Sequence, residues 1–362
     1  MTAASIVAHS YPFVVGVDTH ARNHVYAIID SSNGALLDTQ SFPVTMAGIS
    51  RAISWVGRRT EGNADTLWVI EGAATYGAIL AGTVAAHGFP VTEAPRMSTK
   101  QNRGVGKTDS LDAHRMAMAS LPLPVDKLRH PRLNEGIRQG LRILVTARSS
   151  MAKDRTRSVN ALNAMVRSNG LGIDARKKLT GGQIAEVSRW REREEELSMR
   201  IARSEAVRLA KHILDLDQQL AANEQQLDEL VRVSEAAPLL DETGFKAITV
   251  AKCFVAWSHE GRVRNEAAFA CLAGVNPIPA SSGNTTRHRL NRGGDRSLNS
   301  ALHMAAITRM TYDDETRIYV EKRRAEGKSD REIRRCVKRY LARRIFKIFS
   351  VSTMTDEVPV AA

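Results

Sequence analysis

The chain has 362 residues, 43% of them hydrophobic, and carries 52 Lys and Arg against 39 Asp and Glu, for a formal net charge of +13 and an isoelectric point near 10.0. That apolar content excludes a disordered basic tail, and no apolar run reaches the roughly 18 residues that a membrane-spanning helix needs. The positive excess favours a polyanionic partner, with nucleic acid ahead of an anionic membrane surface. Cys253, Cys271 and Cys336 are far apart and show neither a zinc spacing nor a disulfide framework. The opening residues MTAASIVAHSYPF carry no secretory pattern. A reduced, cytoplasmic protein of two or three domains is expected.

In chain order, FVVGVDTHARNHVYAIID (residues 13–30) reads as strand, tight connection, strand, and GALLDTQSFP (34–43) as the third strand of a meander. Ile49, Ile53 and Val56 share the face of a helix over 47–58. TLWVIEG (66–72) is a buried strand that ends in Glu71, residues 76–87 a helix, and FPVTEAP a short strand. A basic segment, 96–107, then leads into a helix that starts at Asp109 with Thr108 as N-cap. Asp109 and Asp112 stand one turn apart on one face of that helix, which forces two like charges together.

Four carboxylates therefore recur at element ends: Asp18, Glu71, Asp109 and Asp112. In an α/β sheet, strand ends are where sites assemble. Carboxylates brought together need a cation, a shared proton or Arg partners. A hard divalent ion with oxygen ligands meets that need, and a pair of such ions serves phosphodiester chemistry. The competing reading takes Asp18 and Glu71 as turn residues and the aspartates as an ordinary acidic helix start.

The motifs GVDTH, VIEG and KTDSLDA, in this order and spacing, resemble the DEDD-type transposases of bacterial insertion sequences. These belong to the bridge-RNA-guided recombinases and are related to pilin-gene site-specific invertases. The resemblance spans roughly residues 13–350. It implies an α/β N-terminal domain of ribonuclease H/junction-resolvase type in which Asp18, Glu71, Asp109 and Asp112 bind Mg²⁺, with Mn²⁺ as the substitute ion.

Residues 121–133, with three prolines, read as a linker, and 134–168 as a long helix rich in Arg and Lys. A second helical run covers roughly 182–233. Its residues Ala206, Leu209, Ile213, Leu216, Leu220, Asn223, Leu227 and Leu230 occupy heptad slots. The stripe fits a coiled coil between subunits or a long helix buried within its own subunit. The resemblance favours the first, as the contact of a homo-oligomer (dimer or tetramer).

Residues 238–257 read as a short helical region in which ETGFKAITVAK has only Gly244, where the family usually carries G-x-G. Residues 267–306 read as helix, turn, polar loop and helix. The loop offers Ser281, Ser282 and Gly283, followed by Arg287, Arg289, Arg292 and Arg296. Between Ser281 and Phe349 stand 18 Lys and Arg against 8 Asp and Glu, most of the chain's positive excess and suited to phosphate contacts. A serine beside glycine in a polar loop is ordinarily a turn. The resemblance instead implies that Ser282, or Ser281 as fallback, attacks DNA to form a phosphoserine link, and that the metal site of one subunit meets the serine of another. Lys107 and the four loop arginines are the candidate nucleic-acid contacts.

The domains expected are 1–121 (acidic catalytic), 122–235 (linker and helical coiled coil), 236–350 (mainly α, with the serine loop and basic helices) and a tail, 351–362. The function expected is Mg²⁺-dependent cutting and rejoining of donor and target DNA, guided by a structured RNA that the element encodes. A hydrolytic junction nuclease or a DNA invertase on the same scaffold is the alternative. An actin-like kinase would need a second glycine-rich phosphate loop, which the sequence lacks. A non-catalytic nucleic-acid scaffold would bind equally well without its acidic residues.

Overall fold

The computed structural model describes residues 5–95, 108–132, 135–280 and 288–352. The chain divides into two compact units. The first is Met1–Glu135 with Ser258–Arg264, and the second is Gly136–Trp257 with Asn265–Ala362.

The first unit is a mixed α/β domain. After a one-turn helix, α1 (Val7–Ser10), come β1 (Phe13–Thr19), β2 (Asn23–Asp30), β3 (Leu36–Pro43), α2 (Met46–Arg59), β4 (Thr66–Ile70), α3 (Ala78–Ala86), β5 (Val91–Glu93) and α4 (Asp109–Ser120). The five strands form one sheet in the order β3-β2-β1-β4-β5, in which β1, β2 and β3 are an antiparallel meander and β4 and β5 run parallel to β1. Successive side chains of a strand point to opposite faces, and here both faces are covered. Val15, Val17, Tyr26, Ile28, Trp68 and Ile70 meet α2 and α3, while Val14, Ile29, Leu67 and Val69 meet α1 and α4. Burial on both sides explains why β1 and β4 read as unbroken apolar runs rather than alternating ones.

Gly16 sets how closely α4 approaches. A Cβ at Gly16 would lie 2.0 Å from the Ala113 carbonyl oxygen and 2.9 Å from the Ala117 nitrogen. The backbone of α4 thus rests directly on β1, the strand that carries Asp18 next to its last residue.

The second unit is largely helical. It holds α5 (Gly136–Asn169), α6 (Gly181–Val187), α7 (Leu197–Arg232), α8 (Ala247–Trp257), α9 (Glu266–Leu272), the two-residue strands β6 (Ile278–Pro279) and β7 (His288–Arg289), α10 (Arg296–Tyr312), α11 (Asp314–Ala325) and α12 (Asp330–Ser352). Trp257 packs edge-on against Phe269 and Phe346 at the centre of the helices that follow α7.

The run expected as one helix over 182–233 is two. A capping box at Thr180 starts α6, and the chain leaves helical geometry after Val187 until α7 begins at Leu197. The intervening SRWREREEE offers only Trp190 for burial. Trp190 joins the core beside α5 and α7, Arg203 stacks on its ring at 4.9 Å, and Arg203 pairs with Glu195 at 2.5 Å. Charge alone does not hold a helix whose neighbours offer it no apolar stripe to cover.

The heptad stripe lies against α5 of the same chain. Asn223 Nδ2 donates to the Leu144 carbonyl at 3.1 Å, Arg148 donates to the Leu220 carbonyl at 2.8 Å, and Arg155 pairs with Asp217. Numbers that rise along α5 fall along α7, so the two helices are antiparallel. Ala206, Leu209, Ile213, Leu216, Asn223 and Leu227 are buried. The stripe is taken up inside the chain, and a subunit contact on this hairpin would use its other face.

Candidate active site

Strand parity brings the first two carboxylates together. Asp18 follows Val14 and Gly16 onto the α4 side of β1, and Glu71 follows Leu67 and Val69 onto the same side of β4. Val17 is paired with Ile70 in parallel register, and the Glu71 amide donates to the Val17 carbonyl at 3.0 Å. Asp18 and Glu71 therefore leave the sheet side by side. The Thr19 hydroxyl donates to the Glu71 carbonyl at 2.9 Å, and Gly72 takes φ +55° to turn the chain away. Asp18 is only 5% exposed.

The other two carboxylates come from the start of α4. The Thr108 side chain accepts from the Leu111 amide at 3.4 Å, as the N-cap position expects. Asp109 and Asp112 lie in the first turn, where the helix dipole favours negative charge. Asp112 is held by Arg115 at 3.3 Å, while Asp109 is largely exposed.

His20, inside GVDTH, joins the carboxylates. Its Nε2 lies 3.2 Å from Asp18 Oδ2 and 3.4 Å from Asp109 Oδ2, so one ring nitrogen bridges β1 and α4. Its amide donates to His24 Nδ1 at 3.3 Å across the β1–β2 turn. The two-residue spacing from Asp18 keeps His20 on the side of β1 that faces α4, while its approach to Asp109 depends on where α4 packs.

The carboxylates act on one another. The Glu71 pKa is raised above its ordinary value by partial burial first, then by a hydrogen bond with Asp18 and by the negative charges of Asp18 and Asp112, with His20 opposing. The His24 pKa is lowered by burial and by His20, against a smaller opposing pull from Asp18. Ligand atoms of Asp18, His20 and Asp109 all lie within 4.8 Å of one another. Hard carboxylate oxygens crowded enough to raise a neighbour's pKa, with one imidazole nitrogen beside them, suit a divalent cation.

The remaining sequence candidates belong to other segments. Lys107, Ser281, Ser282 and Arg287 lie outside the described residues. Arg289 on β7, Arg292 and Arg296 are exposed and make no ion pair among the described residues. The β6–β7 pair, Ile278 with Arg289 and Pro279 with His288, flanks the serine segment. Its base is tied down by a 2.7 Å bond from the Asp295 amide to the Leu272 carbonyl and a 2.6 Å bond from Asn291 Nδ2 to Asn276 Oδ1.

Residues 15–169 match the family model of DEDD transposases of the IS110 type, and residues 236–321 match that of the IS116/IS110/IS902 transposase family. The chain is 25% identical to the uncharacterized 42 kDa protein of insertion element IS900 from Mycobacterium paratuberculosis, over 88% of this chain and 90% of that one. It is 28% identical to the uncharacterized 43.6 kDa protein of insertion element IS110 from Streptomyces coelicolor, over 33% of this chain and 30% of that one. The two family matches cover both structural units, and the chain belongs to the IS110 family of transposases. It is a DNA-processing enzyme, its substrate is DNA, and a divalent metal is what the family typically uses. No described helix is long and apolar enough to cross a membrane.

Proposed function

We propose that this transposase cuts and rejoins the DNA of an insertion sequence with Mg²⁺, or Mn²⁺ in its place, held by Asp18, Glu71, Asp109 and Asp112. The first unit would then be a ribonuclease H-like domain of the junction-resolvase type. The observation that supports the reading is that ligand atoms of Asp18, His20 and Asp109 lie within 4.8 Å of one another, beside Glu71, whose pKa is raised by burial and then by Asp18 and Asp112. An arrangement that merely capped elements would not bring them within reach of one another.

A bound divalent ion supplies a Lewis acid for phosphate oxygens and lowers the pKa of an attacking oxygen. Asp18 and Glu71 are carried by the ends of β1 and β4, and Asp109 and Asp112 by the first turn of α4. Arg115 orients Asp112, and His20 Nε2 ties Asp18 to Asp109.

Ser282, with Ser281 as fallback, is the nucleophile. Its oxygen forms a bond to phosphorus, the bond from phosphorus to a sugar oxygen breaks, and that oxygen leaves as a hydroxyl carrying the serine proton. Energy is retained in the phosphoserine bond, so rejoining by the reverse attack needs no ATP. Arg287, Arg289, Arg292, Arg296 and Lys107 would contact nucleic-acid phosphates. A structured guide RNA and a homo-oligomer complete the proposed assembly. The positive excess of the second unit supports a nucleic-acid surface beyond the site itself.

The test is a covalent adduct. Purified protein, Mg²⁺, the element's end or junction DNA and flanking transcribed RNA should yield a protein–DNA species that survives denaturation, maps to Ser282 and disappears in Ser282→Ala. Cutting without an adduct would make the chain a hydrolytic junction nuclease.

A further inference from the structure

Three of the eight basic side chains of α12 pair with acidic residues among the described residues. Arg339 and Arg343 pair with Glu266 at 3.3 and 2.9 Å, and Arg344 pairs with Glu242 at 2.7 Å. On α10, Arg309 pairs with both Glu242 and Asp313 at 3.0 Å. Lys338 and Arg334 differ from these three. Lys338 is 9% exposed, yet its ammonium donates only to the neutral Asn299 Oδ1, at 2.7 Å, among the described residues. Arg334 Nε is buried and finds no acceptor among the described residues. Asp330, one turn before Arg334, is engaged through both oxygens by Arg324, at 2.8 and 3.1 Å.

The arrangement is two facing pairs. Arg334 and Lys338 are four apart on α12, and Asn299 and His303 are four apart on α10, so each pair shares a helix face. Burial, together with the charges of Lys338 and Arg334, lowers the His303 pKa, and burial with Arg334 lowers that of Lys338. Arg334 also lines an open cleft of about 270 Å³ with Ile307, Met310, Arg317, Arg324 and one acidic residue, Glu321. Burying a cation among like charges is costly unless something negative completes the site. Three N–H groups of an ammonium and five of a guanidinium match the oxygens of a phosphate.

We propose that Lys338 and Arg334, with His303 beside them, form a phosphate site that takes one phosphodiester of the DNA backbone. Asn299 sets its depth, because its Nδ2 donates to the Ala273 carbonyl at 2.7 Å while its Oδ1 holds Lys338. The DNA strand would thus be gripped beside the base of the β6–β7 pair. The site rests on the family's DNA-processing activity alone, not on the acidic site or on the serine.

The experiment is a salt titration of duplex binding by the full chain, read by fluorescence anisotropy on the element's end DNA. Lys338→Gln keeps a donor for Asn299 and removes the charge. It should weaken binding and reduce the slope of log affinity against log salt by about 1, with a melting temperature equal to or above that of the parent. Arg334→Gln should act likewise, and decides the matter should Lys338→Gln fail to fold. An unchanged slope in the folded variants would overturn the proposal, as would a loss confined to an RNA hairpin of similar length. A fall in melting temperature with the slope preserved would make Lys338 a structural residue and would also overturn it. Because binding needs no cutting, failure of the proposed strand chemistry would leave this readout intact.

Discussion

His20 sets one ring nitrogen 3.2 Å from Asp18 and 3.4 Å from Asp109, so its position bears on carboxylates from both β1 and α4. Partners that orient ligating carboxylates typically matter by 10–100-fold. His20→Ala is expected to slow strand cleavage by about that factor while duplex affinity stays unchanged, in paired single-turnover and binding assays. Arg309 shows what a structural ion network looks like by contrast. Its side chain is 6% exposed and bonds Glu242 and Asp313, and Glu242 also holds Arg344. Arg309→Met leaves two carboxylates short of a partner and should cost about 3 kcal/mol, the scale for breaking a buried pair, read by urea unfolding. Asp313 supplies a pH signature. Burial works to raise its pKa, but hydrogen bonds from Thr316 and the Arg309 cation hold it below the ordinary value. A lowered folded pKa means stability that is present above the unfolded value of roughly 3.9 and lost as pH falls through the folded value. Asp313→Asn should therefore flatten the fall in melting temperature on acidification in that range.

At the scale of elements, α4 rests on β1 through Gly16, and the acidic face of the helix is placed by that contact. Gly16→Ala would drive a methyl group into the Ala113 carbonyl, 2.0 Å away. It should destabilise the fold by about 1–3 kcal/mol and reduce cleavage by displacing Asp109 and Asp112 from Asp18. The α5–α7 hairpin supports a different forecast. Ile213 is fully buried in it, so Ile213→Ala should cost about 2–5 kcal/mol. Because the stripe is covered within the chain, Ile213→Ala should lower the melting temperature without changing the oligomeric state read by size-exclusion chromatography. These elements differ in how far the sequence reveals them. Asp18 and Glu71 were legible because apolar runs that fill both faces of a sheet stop at an acid. Thr108, Asp109 and Asp112 were legible because capping and one-turn spacing are local. The partner of the heptad stripe was not, since the same apolar slots serve either kind of neighbour. The break between α6 and α7 was not legible either, because a charged run fits a helix locally and only its lack of an apolar partner undoes it. Two-residue strands such as β6 and β7 are too short to leave a period, and the contact of His20 with Asp109 joins segments far apart in the chain.

For the whole molecule, one chain combines two opposite electrostatic demands. The first unit gathers carboxylates on one side of its sheet, and the second holds most of the chain's positive excess between residues 281 and 349. A polyanion repelled by the first feature and attracted by the second needs a cation at the acids before chemistry can occur there, while binding alone does not. Binding and cutting should therefore separate. The central measurement is strand cleavage of the element's end DNA by the Asp109→Asn chain in Mg²⁺, on a denaturing gel, beside its duplex affinity at the same salt. The expected result is cleavage abolished with affinity within a few-fold of the parent. Cleavage at the parental rate by Asp109→Asn would contradict the four-carboxylate site and return these aspartates to the role of an acidic helix start.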